Sequence, residues 1–165
     1  MAESIVSFFE GIGLSGNMAV FLVSMLPIVE LRGAIPLGIL MGMNKPELLA
    51  LTVLGNILPV PLIILCARPI VNFCLRTKFL RPVGSWMENK VKKNSGKILK
   101  YEVWGLFVFV AIPLPGTGAW TGALLAALMD LRLKNAFPAI TLGVITAGFI
   151  MLFGSTFVEF LVNLF

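Results

Sequence analysis

Apolar residues fill four long stretches of this chain, residues 18–43, 48–75, 103–129 and 136–165, with short polar gaps between them. A helix that spans a bilayer needs about 20 mostly apolar residues, and each stretch is long enough. Two of the four are broken. The first carries Pro27-Ile28-Val29-Glu30-Leu31-Arg32-Gly33-Ala34-Ile35-Pro36, and the third carries Pro113-Leu114-Pro115-Gly116-Thr117-Gly118-Ala119-Trp120. Proline and glycine at that density stop a helix. The pieces left over, 17–26 with 37–43 and 103–112 with 120–129, would be about 10–17 Å long at 1.5 Å per residue. None of them crosses a hydrocarbon core of about 30 Å alone. Each broken stretch is therefore either one kinked span or a helical hairpin that dips in and returns to the same side.

Composition supports a membrane setting. Of 165 residues, 58% are hydrophobic and 13% charged, where a soluble domain has about a quarter charged. The N-terminus carries Glu3 and Glu10 and no basic run, so a cleaved signal peptide is not expected. Nine of the 13 basic residues fall between positions 68 and 100, and Arg132 and Lys134 occupy the gap before the last stretch. The positive-inside rule places residues 68–100 in the cytoplasm. If both broken stretches are hairpins, the 130–134 gap shares that face, which satisfies the rule better than two full spans. Residues 81–100 mix Trp86, Met87, Val91 and Ile98 with lysines, which suits either a helix on an anionic lipid surface or a solvated loop. The net charge of +5 points to lipid, since no recognition module for nucleic acid accompanies it.

The two halves resemble each other. Each runs as proline-bearing break, Gly-Ala, apolar half-helix, polar gap and long apolar span. Gly33-Ala34 pairs with Gly118-Ala119, Gly38 with Gly122, and Leu54-Gly55 with Leu142-Gly143. A hairpin followed by one span turns the next copy upside down, so the expectation is an inverted-topology repeat, as in many secondary transporters. The organisation expected is one membrane domain, 1–165. It has an N-terminal amphipathic segment (1–16), a first repeat (17–75), a basic cytoplasmic segment (76–100) and a second repeat (101–165).

Several chemistries are excluded or unsupported. Without histidine, Ser-His-Asp catalysis has no base and zinc loses its commonest ligand. Cys66 and Cys74 sit in one apolar run and read as packing residues. No nucleophile–base pair is visible, so an enzyme is not expected, and neither a cofactor nor a metal is implied. The candidate residues lie at the breaks. A charge near the bilayer centre costs at least about 2.5–3.5 kcal/mol, which makes Glu30 and Arg32 either functional or a structural ion pair across an irregular turn. Arg32 offers a planar fork of donors for a phosphate-like group, and Glu30 in a dry site could carry a proton. Half-helix N-termini near Ala34 and Ala119 would favour an anion. Gly33, Gly118 and the Thr117 hydroxyl would add donors. Asn56 lies inside the second stretch and either lines the path or bonds another helix. Trp120 either closes a pocket or packs. Pro27, Pro36, Pro113 and Pro115 make the breaks.

The two long motifs, Glu30-x-Arg32-Gly33-Ala34-Ile35-Pro36-x-Gly38 and Pro113-x-Pro115-Gly116-Thr117-Gly118-Ala119-Trp120, with Gly55-Asn56 between them, resemble the small multidrug export protein family of prokaryotes. The likeness covers nearly the whole chain. That family is in turn distantly similar to the DedA superfamily, whose members are described with paired re-entrant hairpins and are associated with lipid-carrier recycling and proton-dependent drug tolerance. The resemblance implies that Glu30 and Arg32 match the charged re-entrant positions. It departs in the second half, where the break holds Thr117 and no charge. The reading is an all-α transporter of the prokaryotic cytoplasmic (inner) membrane with two re-entrant hairpins and two long spans, surrounded by lipids and assembled as a homo-oligomer. It would move or flip an amphipathic substrate with an anionic headgroup, with proton coupling. The alternatives are proton-coupled efflux of lipophilic cations on Glu30, and a non-transporting scaffold that docks through residues 68–100.

Overall fold

The structure, a computed structural model, describes residues 13, 15–66, 69, 102–114, 116–129 and 131–164, with side chains except at 102 and 159–164. The described residues form helices and no strand. Six helices follow one another: α1 (Gly16–Met25), α2 (Glu30–Leu40), α3 (Lys45–Ile57), α4 (Glu102–Ala111), α5 (Ala119–Leu128) and α6 (Leu133–Leu164). After a turn at Leu58 and Pro59 the helix resumes over 60–66, so that the apolar run of α3 covers Lys45–Cys66. This run of 22 residues and the Leu133–Val158 part of α6 are long and apolar enough to cross a membrane. They match the two unbroken stretches of the sequence. The four shorter helices have 10 or 11 residues, about 15–17 Å each, and none could cross a bilayer alone. The basic segment 68–100 apart from Pro69, with Cys74 in it, Tyr101, Pro115 and, apart from Gly13, Ser15 and Gly16, the N-terminal segment lie outside the described residues.

Outward faces are apolar at helical spacing. Along the apolar run of α3 the exposed large hydrophobic residues are Leu54, Leu58, Leu62 and Leu65, and on α6 they include Leu142, Phe149, Phe153 and Phe157. A soluble protein would place polar groups at such positions. Lipid is the solvent that suits them.

The chain divides into two compact units. One holds Met1–Leu58 and Val144–Phe165, the other Pro59–Gly143. Each therefore contains a short helix pair, the first part of the long helix that follows it, and the second part of the other long helix.

Within each unit the same local features recur. Helices α1 and α4 begin 86 positions apart, at Gly16 and Glu102, and end 86 apart, at Met25 and Ala111. Their exposed residues correspond: Met18 with Trp104, Leu22 with Val108, Leu26 with Ile112. Helices α2 and α5 end 88 positions apart on the same cap. The amide of Met41 donates to the Leu37 and Ile39 carbonyls, and that of Met129 donates to those of Leu125 and Ala127. Two residues on, Met43 donates to Gly38 and Leu131 to Ala126, both at 3.0 Å.

This spacing corrects the pairing expected from sequence. Leu54-Gly55 does correspond to Leu142-Gly143 at a spacing of 88. Gly118-Ala119, however, occupies the place of Glu30-Leu31, and Gly122 that of Ala34, about one helical turn from the expected partners. The cause lies in the second half, where the stretch from the end of α4 to the end of α5 is two residues longer than that from the end of α1 to the end of α2. Pro27 and Pro113 still align at the shorter spacing, and Glu30 and Gly118 align at the longer one.

The first break is also shorter than the proline count predicts. It is confined to residues 26–29, and α2 starts at Glu30 and runs through Pro36. Proline removes one amide donor and crowds the carbonyl four residues back. Here the lost donor is the one for the Arg32 carbonyl, near the helix start, and the helix survives it.

Packing within each unit depends on one close approach. A Cβ on Gly55 would strike the Ser24 hydroxyl and come within 2.6 Å of the Phe21 carbonyl oxygen, and one on Gly143 would come within 3.0 Å of the Phe107 carbonyl and 2.7 Å of Val110 Cβ. Glycine lets the long helix lie against the backbone of the first short helix, as small residues do between membrane helices. The contact is the same in both units.

Candidate functional site

The turn that joins α1 to α2 is built by Leu26-Pro27-Ile28-Val29. Pro27 cannot donate an amide hydrogen, and Ile28 points outward, 94% exposed. The chain re-enters helix at Glu30, whose amide donates to the Leu26 carbonyl at 2.9 Å. Glu30 takes a positive φ of 51°, the one non-glycine residue among those described to do so. A left-handed conformation costs an L-residue roughly 1–2 kcal/mol. Its counterpart Gly118 has φ 129°, a conformation that glycine adopts freely.

Glu30 is buried, with 4% of its surface exposed. Arg32 is half-buried, and the two charges are near enough to act on one another. The half-helix N-terminus in this unit lies at Glu30 rather than near Ala34, so the carboxylate itself sits at the positive end of the α2 dipole. In the other unit α5 begins at Ala119 as expected, behind Gly118. Trp120 stands where Arg32 stands. The Thr117 hydroxyl donates within its own turn, to the Ile112 and Leu114 carbonyls at 2.8 Å. That hydrogen is engaged within the loop in this structure. Gly33 lies inside α2, where a Cβ would strike the Val29 side chain.

Sequence reasoning underrated one group. The buried polar or charged side chains among the described residues are Ser24, Glu30, Thr52 and Asn56. All four belong to the unit that holds Met1–Leu58. Their counterparts in the second half of the chain are Val110, Gly118, Ile140 and Val144, of which the first three lie in the other unit, and none carries a side-chain polar atom. In that unit the Thr141 hydroxyl is the buried side-chain oxygen without a hydrogen-bond partner. Ser24 and Thr52 satisfy their hydroxyls locally. Ser24 donates to the Phe21 carbonyl at 2.6 Å and Thr52 to that of Leu48 at 2.8 Å. Asn56 does not. It is 1% exposed, and neither its amide nitrogen nor its amide oxygen finds a hydrogen-bond partner.

The sequence-predicted residues are thus divided. Glu30, Arg32, Gly33, Asn56, Pro27 and Pro36 belong to one unit, and Pro113, Thr117, Gly118 and Trp120 to the other. No group of three or more metal-ligating side chains occurs among the described residues.

Comparison with known proteins adds one finding. The family described as "Putative small multi-drug export protein" matches residues 30–150. The match runs from the start of α2 into α6 and takes in the second break, and it is the family that the two motifs resemble. No curated protein and no solved structure matches the chain.

Proposed function

The chain belongs to this family of small multi-drug export membrane proteins, and from that premise we propose that the charged turn between α1 and α2 is where the head of an amphipathic substrate is held during export. The observation that carries the reading is Glu30. It is a buried carboxylate in a left-handed conformation, in an apolar helix pair, at a position where the other half of the chain has glycine. Strain and a buried charge together are costly, and both persist at sites that use them.

In this reading the resting site is neutral, because Glu30 and Arg32 balance each other. An anionic headgroup competes with Glu30 for the Arg32 guanidinium. It wins when Glu30 takes a proton, so that proton and anion enter the site together and its total charge is unchanged. Arg32 is the more exposed of the two and is the one a substrate reaches. The two short helix pairs act as re-entrant hairpins in an inverted repeat in the inner membrane, with residues 68–100 on the cytoplasmic side. The recurrence of caps, glycine contacts and exposed faces between the halves supports that arrangement.

One observation favours a second reading. The carboxylate of Glu30 already occupies the α2 N-terminus, and the Thr117 hydrogen is spent, so both expected aids to an anion are weakened. Efflux of lipophilic cations on Glu30, in exchange for protons, fits that better. Transport in proteoliposomes separates the two. Arg32→Ala abolishing export of an anionic amphiphile, with cationic dyes never transported, supports the anion reading. Glu30→Gln abolishing efflux of a cationic dye that Arg32→Ala leaves intact replaces it with the cation reading. Transport of both kinds of substrate unaffected by either substitution removes the turn from the mechanism.

A further inference from the structure

Asn56 offers a donor and an acceptor to nothing, and it does so half-way along Lys45–Cys66, the first of the two helices able to cross a bilayer. An unpaired buried polar group costs about 1–3 kcal/mol in a protein interior. In membrane helices the common remedy is a hydrogen bond to another helix. A second copy of the chain cannot supply it here, because Asn56 is buried within its own protomer. What reaches the amide oxygen must be small and must enter the protomer.

The neighbouring groups indicate its chemistry. Thr52 lies on the Asn56 face of the helix, four residues back, Gly55 precedes Asn56 on the buried side, and Ser24 packs its hydroxyl against Gly55. The hydroxyl hydrogens of Ser24 and Thr52 are donated to backbone carbonyls, so both oxygens present lone pairs only. The Gly55 carbonyl would take its helical hydrogen bond from the amide of residue 59, and residue 59 is proline, which has none. The set is therefore the hydroxyl oxygens of Ser24 and Thr52, the Asn56 amide oxygen and the Gly55 carbonyl. All are neutral oxygens, and no carboxylate is among them. Neutral oxygens suit a hard monovalent cation, whereas divalent ions are held by carboxylates. Broken transmembrane helices use freed carbonyls near the midplane in this way.

We propose that Ser24, Thr52, Gly55 and Asn56 form a site for a monovalent alkali cation of the sodium class, separate from the charged turn. The other half of the chain is a built-in control. At the corresponding places it has Val110, Ile140, Gly143 and Val144, and Ala147 stands where Pro59 stands, so it has no side-chain ligand and no freed carbonyl. A cation bound in one half only gives the two halves different work.

The test is thermal unfolding of the full chain in detergent, with NaCl or KCl titrated against choline chloride at constant ionic strength. A bound ion raises the midpoint saturably, by roughly 3–6 °C at ten times its dissociation constant. The wild type and Thr141→Val should show the shift, and Asn56→Val and Thr52→Val should lose it. No saturable response to either salt overturns the site, and so does a response that Asn56→Val retains. Should the variants fail to fold, saturable binding of radioactive sodium to the wild type, competed by excess NaCl and not by choline, decides it: its absence overturns the proposal. None of these readouts involves substrate or Arg32, so failure here leaves the reading of the charged turn standing, and the reverse holds.

Discussion

The two halves of this molecule share a scaffold and differ in what they bury. The α1–α2 pair and the α4–α5 pair have matching helix lengths, matching caps on Met41 and Met129, and matching glycine contacts at Gly55 and Gly143. Yet where one half buries Ser24, Glu30, Thr52 and Asn56, the other has Val110, Gly118, Ile140 and Val144. Shared features recur because each half must solve the same problem, which is to seat two short helices against a long one in an apolar solvent. The polar residues are not part of that solution, since the second half packs without them. On the reading proposed above, they mark the half in which binding chemistry is concentrated.

The strongest way to break the comparison is at its shared contact. Gly55→Ala places a methyl against the Phe21 carbonyl and the Ser24 hydroxyl, and Gly143→Ala places one against Phe107 and Val110. Overpacking a well-filled interior costs about 1–3 kcal/mol and occasionally more. Because backbone atoms are struck in both cases, the upper end is expected for both. Thermal unfolding in detergent should show a large loss in each. Adding Ser24→Ala to Gly55→Ala should recover the part due to the hydroxyl and leave the part due to the carbonyl. If either glycine accepts alanine without loss, the halves do not pack alike.

Much of this architecture could be read along the chain. Two uninterrupted apolar runs became the two long helices, and Pro113 with its glycines marked the second break. The first break was misjudged because proline count is not proline position. Pro27 starts a turn, but Pro36 falls inside α2 and is carried by it. The pairing of the halves was misplaced by a turn because Gly-Ala pairs recur in apolar stretches, and because the second break and its following helix together hold two residues more than the first, which shifts the register between the breaks and the caps. Burial was legible least. Nothing in an apolar run tells whether Asn56 meets another helix or nothing at all. That depends on which face of α3 packs inward, and Gly55 settles it only once its neighbours are known.

A smaller effect sharpens the contrast between polar and apolar interiors. Val144→Asn carries an amide to the place in the second half that corresponds to Asn56. With no partner there, it should cost about 1–3 kcal/mol. Asn56→Val makes the reverse exchange and should be neutral or stabilising by a similar amount in sodium- and potassium-free medium, since a buried unpaired amide is removed. Unfolding midpoints that move in opposite directions would show that the first half tolerates a cost that the second half avoids. Equal losses for both substitutions would mean that Asn56 contributes packing, and its missing partners would then need another explanation.

The smallest effect isolates the backbone at the charged turn. Glu30→Gly and Glu30→Ala both remove the carboxylate, so their difference contains little electrostatics. In an ordinary helical position glycine is worse than alanine by about 0.5–1 kcal/mol. At φ 51° the order should reverse, because alanine keeps the left-handed strain of roughly 1–2 kcal/mol and glycine does not. Gly118→Ala, at φ 129°, should lose stability in the same sense. Glu30→Gly being the more stable variant would mean that the turn holds its acid against a backbone preference, and would make the first break a strained copy of the second. Alanine being the more stable would mean that position 30 relaxes into ordinary helix once the carboxylate is gone. The strain would then belong to the Glu30–Arg32 interaction rather than to the turn.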